Sequence, residues 1–307
     1  MNENMKLSII VVTMNRKDQV IEALRSCMAC KLPEKTEFVI IDNASADGTG
    51  ESIHSLFAHE GRGHTYIYQY LEENVGPGGG RNEGYKLSNG EYLYFLDDDA
   101  VIDENSQDRF FVQTVAYLDR NTQVGTVSTR VWDECLQKNR EVRKSKTTVI
   151  DGYASIYDFH GGSHFLRKSV FGNMMPYLYK AYGFEEICPS LIILDKAYYN
   201  VYAPDVVAIH KPIVDKWRAD SEQRGNVLCL ELAGLLGSKY LLYPGILRPV
   251  LFAVFLVRWY LYLRKVEGGF AKSLQLFRVH TRGVKARKIK FTTLFKIIRE
   301  FGIRAGV

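Results

Sequence analysis

The sequence predicts an α/β fold: a mostly parallel sheet with helices on both faces, plus a C-terminal helical extension. Two observations carry the sheet. Strand-like apolar runs alternate with helix-like stretches through the first hundred residues, a pattern that calls for parallel strands joined by crossover helices. Polar clusters also fall where those strands end, at residues 13–15, 42–43, 76–82 and 97–99. Ligands of such sheets bind at the C-terminal strand edge, so four clusters at one edge mark a site.

The elements follow in order. Residues 7–12 (LSIIVV) form a continuous apolar run, as a buried strand requires. Val20, Ile21, Leu24 and Met28 recur at helical spacing across 17–29. Residues 37–41 make a second strand. The turn-rich DNASADG of 42–48 leads into a helix over 49–59. A third strand is predicted at 66–71, a glycine-rich loop at 76–80, a helix to about 88, and a fourth strand at 91–96. The middle is less regular, with strands near 124–131, 162–167 and 200–202 and a helix starting near Pro189. From about 228 the pattern is helical. The expected division is a domain over 1–215 followed by a basic helical extension over 216–307.

A hydrophobic fraction of 46% and a charged fraction of 24% exclude disordered and collagen-like classes. The five cysteines are odd in number and irregularly spaced, against a disulfide framework. Cys27 and Cys30 read as helix packing. The run at 7–12 is too short for a signal segment, so a cytoplasmic site is expected. Residues 258–307 hold 13 Lys/Arg against two acids, Glu267 and Glu300, on an otherwise mildly acidic chain. That asymmetry points to an anionic partner.

The chemistry-bearing residues come next. Asp97, Asp98 and Asp99 end the fourth strand, and alternation along an extended chain would put Asp97 and Asp99 on one face. Two carboxylates there suit a hard cation shared with phosphate oxygens. Asp42 ends the second strand and can accept from a pyrimidine N–H; Thr13 and Asn15 end the first. The stretch Asn74–Gly84 (NVGPGGGRNEG) offers backbone freedom for close approach, and Arg81 can meet a phosphate. It is neither a Rossmann fingerprint nor a P-loop, lacking the placement of one and the Gly-Lys-Ser/Thr of the other.

VVTMNR, IIDNASADGT, ENVGPGGGRNEG and YFLDDDAVID, in this order, resemble the family-2 glycosyltransferases. Gly183-Phe-Glu-Glu186 resembles that family's E-D motif with Glu in place of Asp, and the segment 202–210 looks like its later strand ending in a metal-binding His. The resemblance covers roughly residues 6–215 and implies the GT-A (Rossmann-like nucleotide-binding) fold, with a nucleotide-binding half over 1–100 and an acceptor half over 101–215. It implies an inverting, metal-dependent glycosyl transfer from a UDP- or dTDP-linked donor to a glycan or glycolipid acceptor in surface polysaccharide, lipopolysaccharide or glycolipid synthesis. It assigns nucleotide contacts to Thr13, Asn15, Arg16, Asp42, Asn43, Gly76, Gly80, Arg81, Asp97 and Asp98. Asp99, Asp97 and His210 would bind Mg²⁺ or Mn²⁺, and Glu186, or its neighbour Glu185, would act as the base. One carboxylate base opposite the leaving group implies single displacement, where a hydrolase needs a flanking pair.

Residues 249–263 (PVLFAVFLVRWYLYL) are the most apolar stretch, shorter than the roughly 20 residues of a spanning helix and interrupted by Arg258. With Arg248, Arg264 and Lys265 at its ends it fits a helix at an anionic membrane surface, which implies a peripheral place on the inner face. Nucleic acid is not expected: the tail has few aromatics and no known module. The rival readings are a non-catalytic nucleotide-sugar-binding protein of the same fold and a sugar-nucleotidyltransferase. The second would show a Gly-rich basic loop after the first strand, where this chain has Thr-Met-Asn-Arg.

Overall fold

The computed structural model describes residues 5–61, 63–178, 182–212 and 221–306, with the side chains of 221–224 left aside. Strands β1 (Leu7–Thr13), β2 (Thr36–Asp42), β3 (Thr65–Tyr70) and β4 (Tyr92–Asp97) alternate with helices α1 (Lys17–Met28), α2 (Thr49–Glu60) and α3 (Gly76–Leu87). β1 pairs in parallel with β2 and β4, and β2 with β3. The order β3-β2-β1-β4 reverses direction between β1 and β4. That reversal is the crevice in which doubly wound sheets hold ligands.

Beyond β4 come β5 (Ala100–Ile102), α4 (Phe110–Arg120), β6 (Val124–Asp133), the two-residue β7 (Lys138–Asn139), β8 (Lys144–Ile150), β9 (Tyr153–Ile156), β10 (Ser163–Arg167), α5 (Ile187–Asp195) and β11 (Tyr199–His210). The sheet continues β4-β10-β6-β11-β9-β8, with β10 antiparallel to β4 and β6, and β11 parallel to β6. The strand expected near 200–202 therefore runs on to His210. The hairpin β8–β9 was not legible, because its exposed, Lys- and Thr-rich sequence alternates weakly.

Core packing explains the elements. On α1, Val20, Ala23, Leu24, Cys27 and Met28 are buried against the sheet. No side chain of Arg16 caps α1; Asp47 of the following loop accepts from Lys17 N at 3.1 Å instead. Cys27 and Cys30 are buried and free of disulfides, and burial pushes the Cys30 thiol up to about 12.

The glycine-rich stretch is a correction. Gly76 to Gly80 are not a loop but the first turns of α3, which has Pro77 at its start. The glycines let the helix lie on β1: a Cβ at Gly80 would stand 2.4 Å from Val12 Cγ1, and one at Gly84 2.4 Å from Ile10 Cγ2. Gly80 is buried on the face of α3 that meets β1. Gly80→Ala is expected to cost about 1–3 kcal/mol through overpacking, read as a lower urea midpoint with an unchanged slope.

The extension comprises α6 (Ser221–Leu242), α7 (Arg248–Leu263), α8 (Gly269–Thr281) and α9 (Phe291–Phe301). The expected boundary at 215/216 lies outside the described residues. Leu241, Leu242, Leu251, Leu294, Ile297 and Phe301 share one cluster with Ile10, Leu93 and Phe95 of the sheet. The start of α9 is held from α5: Asp195 Oδ1 accepts from Lys290 N and from Thr293 Oγ1, both at 2.7 Å. A buried carboxylate at a helix N-terminus satisfies free N–H groups and favours the dipole.

Candidate active site at the sheet edge

Register brings the site together. Thr13 lies opposite Asp42, and Val12 opposite Asp97, so three neighbouring parallel strands end on one polar row. On the other side of β4, Leu96 pairs with Ser163, which sets Gly162 beside Asp97. His210 ends β11 opposite both Asp133 of β6 and Ala100 of β5. Residues far apart in sequence thus meet at the C-terminal edge.

Asp97, Asp98 and Asp99 do not alternate, because β4 ends at Asp97 and the chain turns through 98–99 before β5. Asp98 faces inward: its Oδ2 accepts from Thr13 Oγ1 at 2.8 Å, and its Oδ1 from Arg16 Nη1 at 2.9 Å. The same Arg16 nitrogen donates to Asp99 Oδ2 at 2.9 Å. Burial pushes the Asp98 carboxyl up to about 6, against the pull of Arg16 and with Asp99 adding to the rise. Arg16, expected on the nucleotide, thus neutralises two buried acids.

Asp97 turns to the opposite flank. Its Oδ1 accepts from Arg81 Nη2 at 2.7 Å, while Arg81 Nη1 donates to Glu185 Oε1 at 2.6 Å. Arg81 is buried and lies over the Tyr177 ring at 5.6 Å. It is expected on a phosphate, but in the structure it ties α3 to β4 and to the Glu185 turn. Gly161 and Gly162 make room for this knot: a Cβ at 162 would stand 2.7 Å from Asp97 Oδ2, and one at 161 would lie 3.5 Å from Arg81 Nη2 and 3.6 Å from Glu186 Oε2. Their signal in the sequence was a Gly-Gly pair just before a strand.

Glu185 and Glu186 part company. Glu185 is buried, and its Oε2 accepts from Gly183 N at 3.0 Å. Both its oxygens are thereby occupied. Glu186, half-buried at the start of α5, has its carboxyl pushed up to about 8, first by burial and then by the neighbouring Glu185 charge. A carboxyl poised near neutral pH suits proton acceptance. The turn that carries it is backed by α6: Gly183 has φ +118°, and a Cβ on Gly234 would stand 1.8 Å from Gly183 O. Ser238 Oγ donates to Phe184 O at 3.4 Å. Only glycine at 234 admits this approach.

His210 Nε2 lies 3.4 Å from Asp99 Oδ1, and its Nδ1 lies 3.1 Å from Asp133 Oδ2. Arg140 donates from Nη2 to the same Asp133 oxygen at 3.1 Å and lies 2.9 Å from His210 Nδ1. Burial pushes the Asp133 carboxyl up, but hydrogen bonds from Leu136 N and Arg140 outweigh it and hold it below the usual carboxylate range. Asp133 and Arg140 escaped the sequence reading because only strand register brings them to His210. The Asp133 carboxylate beside one ring nitrogen orients the imidazole so that the other faces Asp99, as carboxylates behind metal-binding imidazoles do, and Arg140 Nη2 lies 3.2 Å from that second nitrogen. Among the described residues no three His, Cys, Asp or Glu side chains are grouped to hold a metal. Asp99 and His210 come together; Asp97 is engaged by Arg81.

The nucleotide-side residues on β1 and β2 hold one another. Asp42 accepts from Ser45 N at 2.8 Å and from Tyr68 Oη at 2.7 Å. Asn15, at φ 52°, accepts from Ala46 N at 2.8 Å. Asn43 fixes the approach to α3: it donates to Asn74 Oδ1 at 2.8 Å and accepts from Val75 N at 2.9 Å. Gly76 N donates to Asn74 Oδ1 at 2.8 Å. These bonds shape the rim of the crevice.

A parallel half-sheet with carboxylates at its switch point, continued by a mixed half-sheet that brings in an imidazole, is the architecture of GT-A folds. The model of the glycosyl transferase family 2 domain matches residues 8–174, more than half of the chain, and the protein belongs to that family. The poly-beta-1,6-N-acetyl-D-glucosamine synthase of Staphylococcus epidermidis is 33% identical over 100 residues, covering 33% of this chain and 23% of that protein. The synthase of the same name from Staphylococcus aureus strain MSSA476 is 28% identical over the same shares. The chain thus spans about a quarter of the length of the curated relatives it matches. Among solved structures, S. aureus TarS 1-349 in complex with UDP-GlcNAc superposes with a TM-score of 0.57 at 19% identity, over 90% of this chain and 81% of that one. The mannosyltransferase PcManGT from Pyrobaculum calidifontis, in complex with GDP-Man and Mn2+, gives 0.59 at 18% identity over 90% and 74%. At these identities the likeness is one of fold.

Proposed function

We propose that the protein transfers a sugar, with inversion, from a nucleotide diphosphate-sugar to an acceptor hydroxyl during synthesis of a surface polysaccharide or glycolipid. The observation that carries this is the placing of Glu186 beside Gly161 and Arg81, with Arg81 bonded to Asp97 at the start of the turn whose Asp99 meets His210 at 3.4 Å. Glu186 takes the proton from the acceptor hydroxyl as its oxygen bonds to the anomeric carbon and the bond to the diphosphate oxygen breaks. Glu185 positions that turn through Arg81, and Arg81 in turn fixes Asp97 at the crevice floor. The relatives include a poly-beta-1,6-N-acetyl-D-glucosamine synthase, and the solved neighbours include complexes with UDP-GlcNAc and GDP-Man; these support the donor class.

Asp99 and His210 fit a divalent cation, Mg²⁺ or Mn²⁺, because two protein donors leave the remaining positions to phosphate oxygens and water. A bound cation would neutralise the charge that builds on the departing diphosphate. Arg16 holds Asp99 in the absence of donor, so the approach of a diphosphate offers that guanidinium a second anionic partner. Asp99→Ala is expected to abolish the manganese signal change on titration, followed by electron paramagnetic resonance, and to stop nucleotide release. Full activity after chelation, with Mn²⁺ binding unaltered in the variant, would remove the cation from the proposal.

A further inference from the structure

The outer face of α7 is an unbroken apolar surface. Leu251, Phe255 and Leu263 turn inward, where Leu251 joins the main core and the other two pack with Cys229, Leu232 and Leu236 of α6. Val250, Phe252, Leu256, Val257, Tyr260 and Leu261 are 39–61% exposed. At 100° per residue these six share an arc of about 180°. Arg258, which interrupts the sequence, falls about 20° from Leu251, outside the exposed arc, and is half-buried. The exposed arc therefore carries no charge from Pro249 to Leu263. An uninterrupted patch of this kind marks an interaction surface.

We infer that this face lies flat on an anionic lipid bilayer, with α7 parallel to the membrane plane. By length and composition alone, Gly245–Leu263 is a stretch apolar enough to cross a membrane. Geometry favours the surface. Leu251, Phe255 and Leu263, spread along the length of α7, are all buried in the protein. That face is packed on α6 and α8, so crossing would strip that core or carry it into lipid. The charge at the ends of the patch identifies the occupant: exposed Arg248 opens α7, and exposed Arg264 and Lys265 follow it, in an extension whose residues 258–307 carry 13 Lys/Arg against two acids. Anionic headgroups gain from such a basic surround, and apolar side chains enter the acyl boundary. A second copy of this chain would bring the same positive charge against itself. The inference concerns a surface apart from the transfer site and goes beyond the reaction proposed above.

Flotation of the full chain with phosphatidylglycerol/phosphatidylcholine vesicles, and with phosphatidylcholine alone, tests it. Wild type is expected to float with the anionic vesicles, less so as salt rises. Val257→Asp/Leu261→Asp is expected to partition at least about tenfold less while nucleotide release in solution stays at the wild-type level. Absence of flotation by wild type would overturn the inference, as would undiminished flotation of the double variant. A concentration-dependent dimer lost in the double variant, without vesicle binding, would assign the face to a second copy instead. Loss of nucleotide release with flotation intact would count against the transfer reading and leave the surface standing.

Discussion

Glu186→Gln is expected to lower the turnover rate by about 10²–10⁴-fold, the usual contribution of a positioned base, while leaving donor affinity unchanged. The amide keeps the size and loses only the proton-accepting charge. Glu185→Gln should act differently: it weakens the hold on Arg81 and Gly183, so its loss of rate should come with loss of stability. The pH profile separates base from scaffold. With the Glu186 carboxyl at about 8 in the free protein, kcat/KM should rise about tenfold per pH unit below that value and level off above it. The stability effect runs the other way. A carboxyl raised above its ordinary 4.5 contributes stability below that pH and loses it as pH rises through about 8. Glu186→Gln should therefore melt above wild type at pH 8 and match it more closely at pH 5, as differential scanning calorimetry would show.

Arg81→Ala should be the most destabilising single change in the crevice, costing about 3–5 kcal/mol in chemical denaturation. The pair with Glu185 sets the size, since both side chains are 7% exposed. Asp97 is 32% exposed and its pairing with Arg81 contributes less, because water screens it. Removing the guanidinium leaves the Glu185 carboxylate buried without its cation. Arg81→Lys should recover only part of the loss: a point charge cannot reach Asp97 and Glu185 with a fork. Replacing Glu185 by Gln in the Arg81→Ala background should return some of the stability, since the orphaned charge goes with it.

Much of the fold was legible because its signals are local. Continuous runs such as IIVV and FVII are what strands buried on both faces require, and the polar residues after them sit where the parallel half of the sheet ends. The glycine-rich stretch was misread because composition does not separate a loop from a helix pressed onto a strand; Val12 and Ile10 beneath Gly80 and Gly84 decide it. The three aspartates were misjudged in orientation, since alternation holds only while the strand continues, and β4 stops at Asp97. Arg81 and Arg16 were recognised as site residues, but their partners were not, because a lone basic residue gives no indication that an acid will claim it. Asp133, Arg140 and the Gly161–Gly162 pair were missed for a common reason: they enter the site through the register of β6, β10 and β11, which no linear pattern encodes. The approach of α6 to the Glu186 turn at Gly234 belongs to the same class.

Release of nucleoside diphosphate from UDP-, dTDP- and GDP-linked sugars with Mn²⁺, followed for wild type and Glu186→Gln side by side, reaches the central claim most directly. Wild type should release nucleotide from at least one donor, and the variant should release it about 10²-fold more slowly or less. Release at equal rates by both proteins, or none by wild type from any donor, would contradict the assignment of this sheet edge as a glycosyl-transfer site.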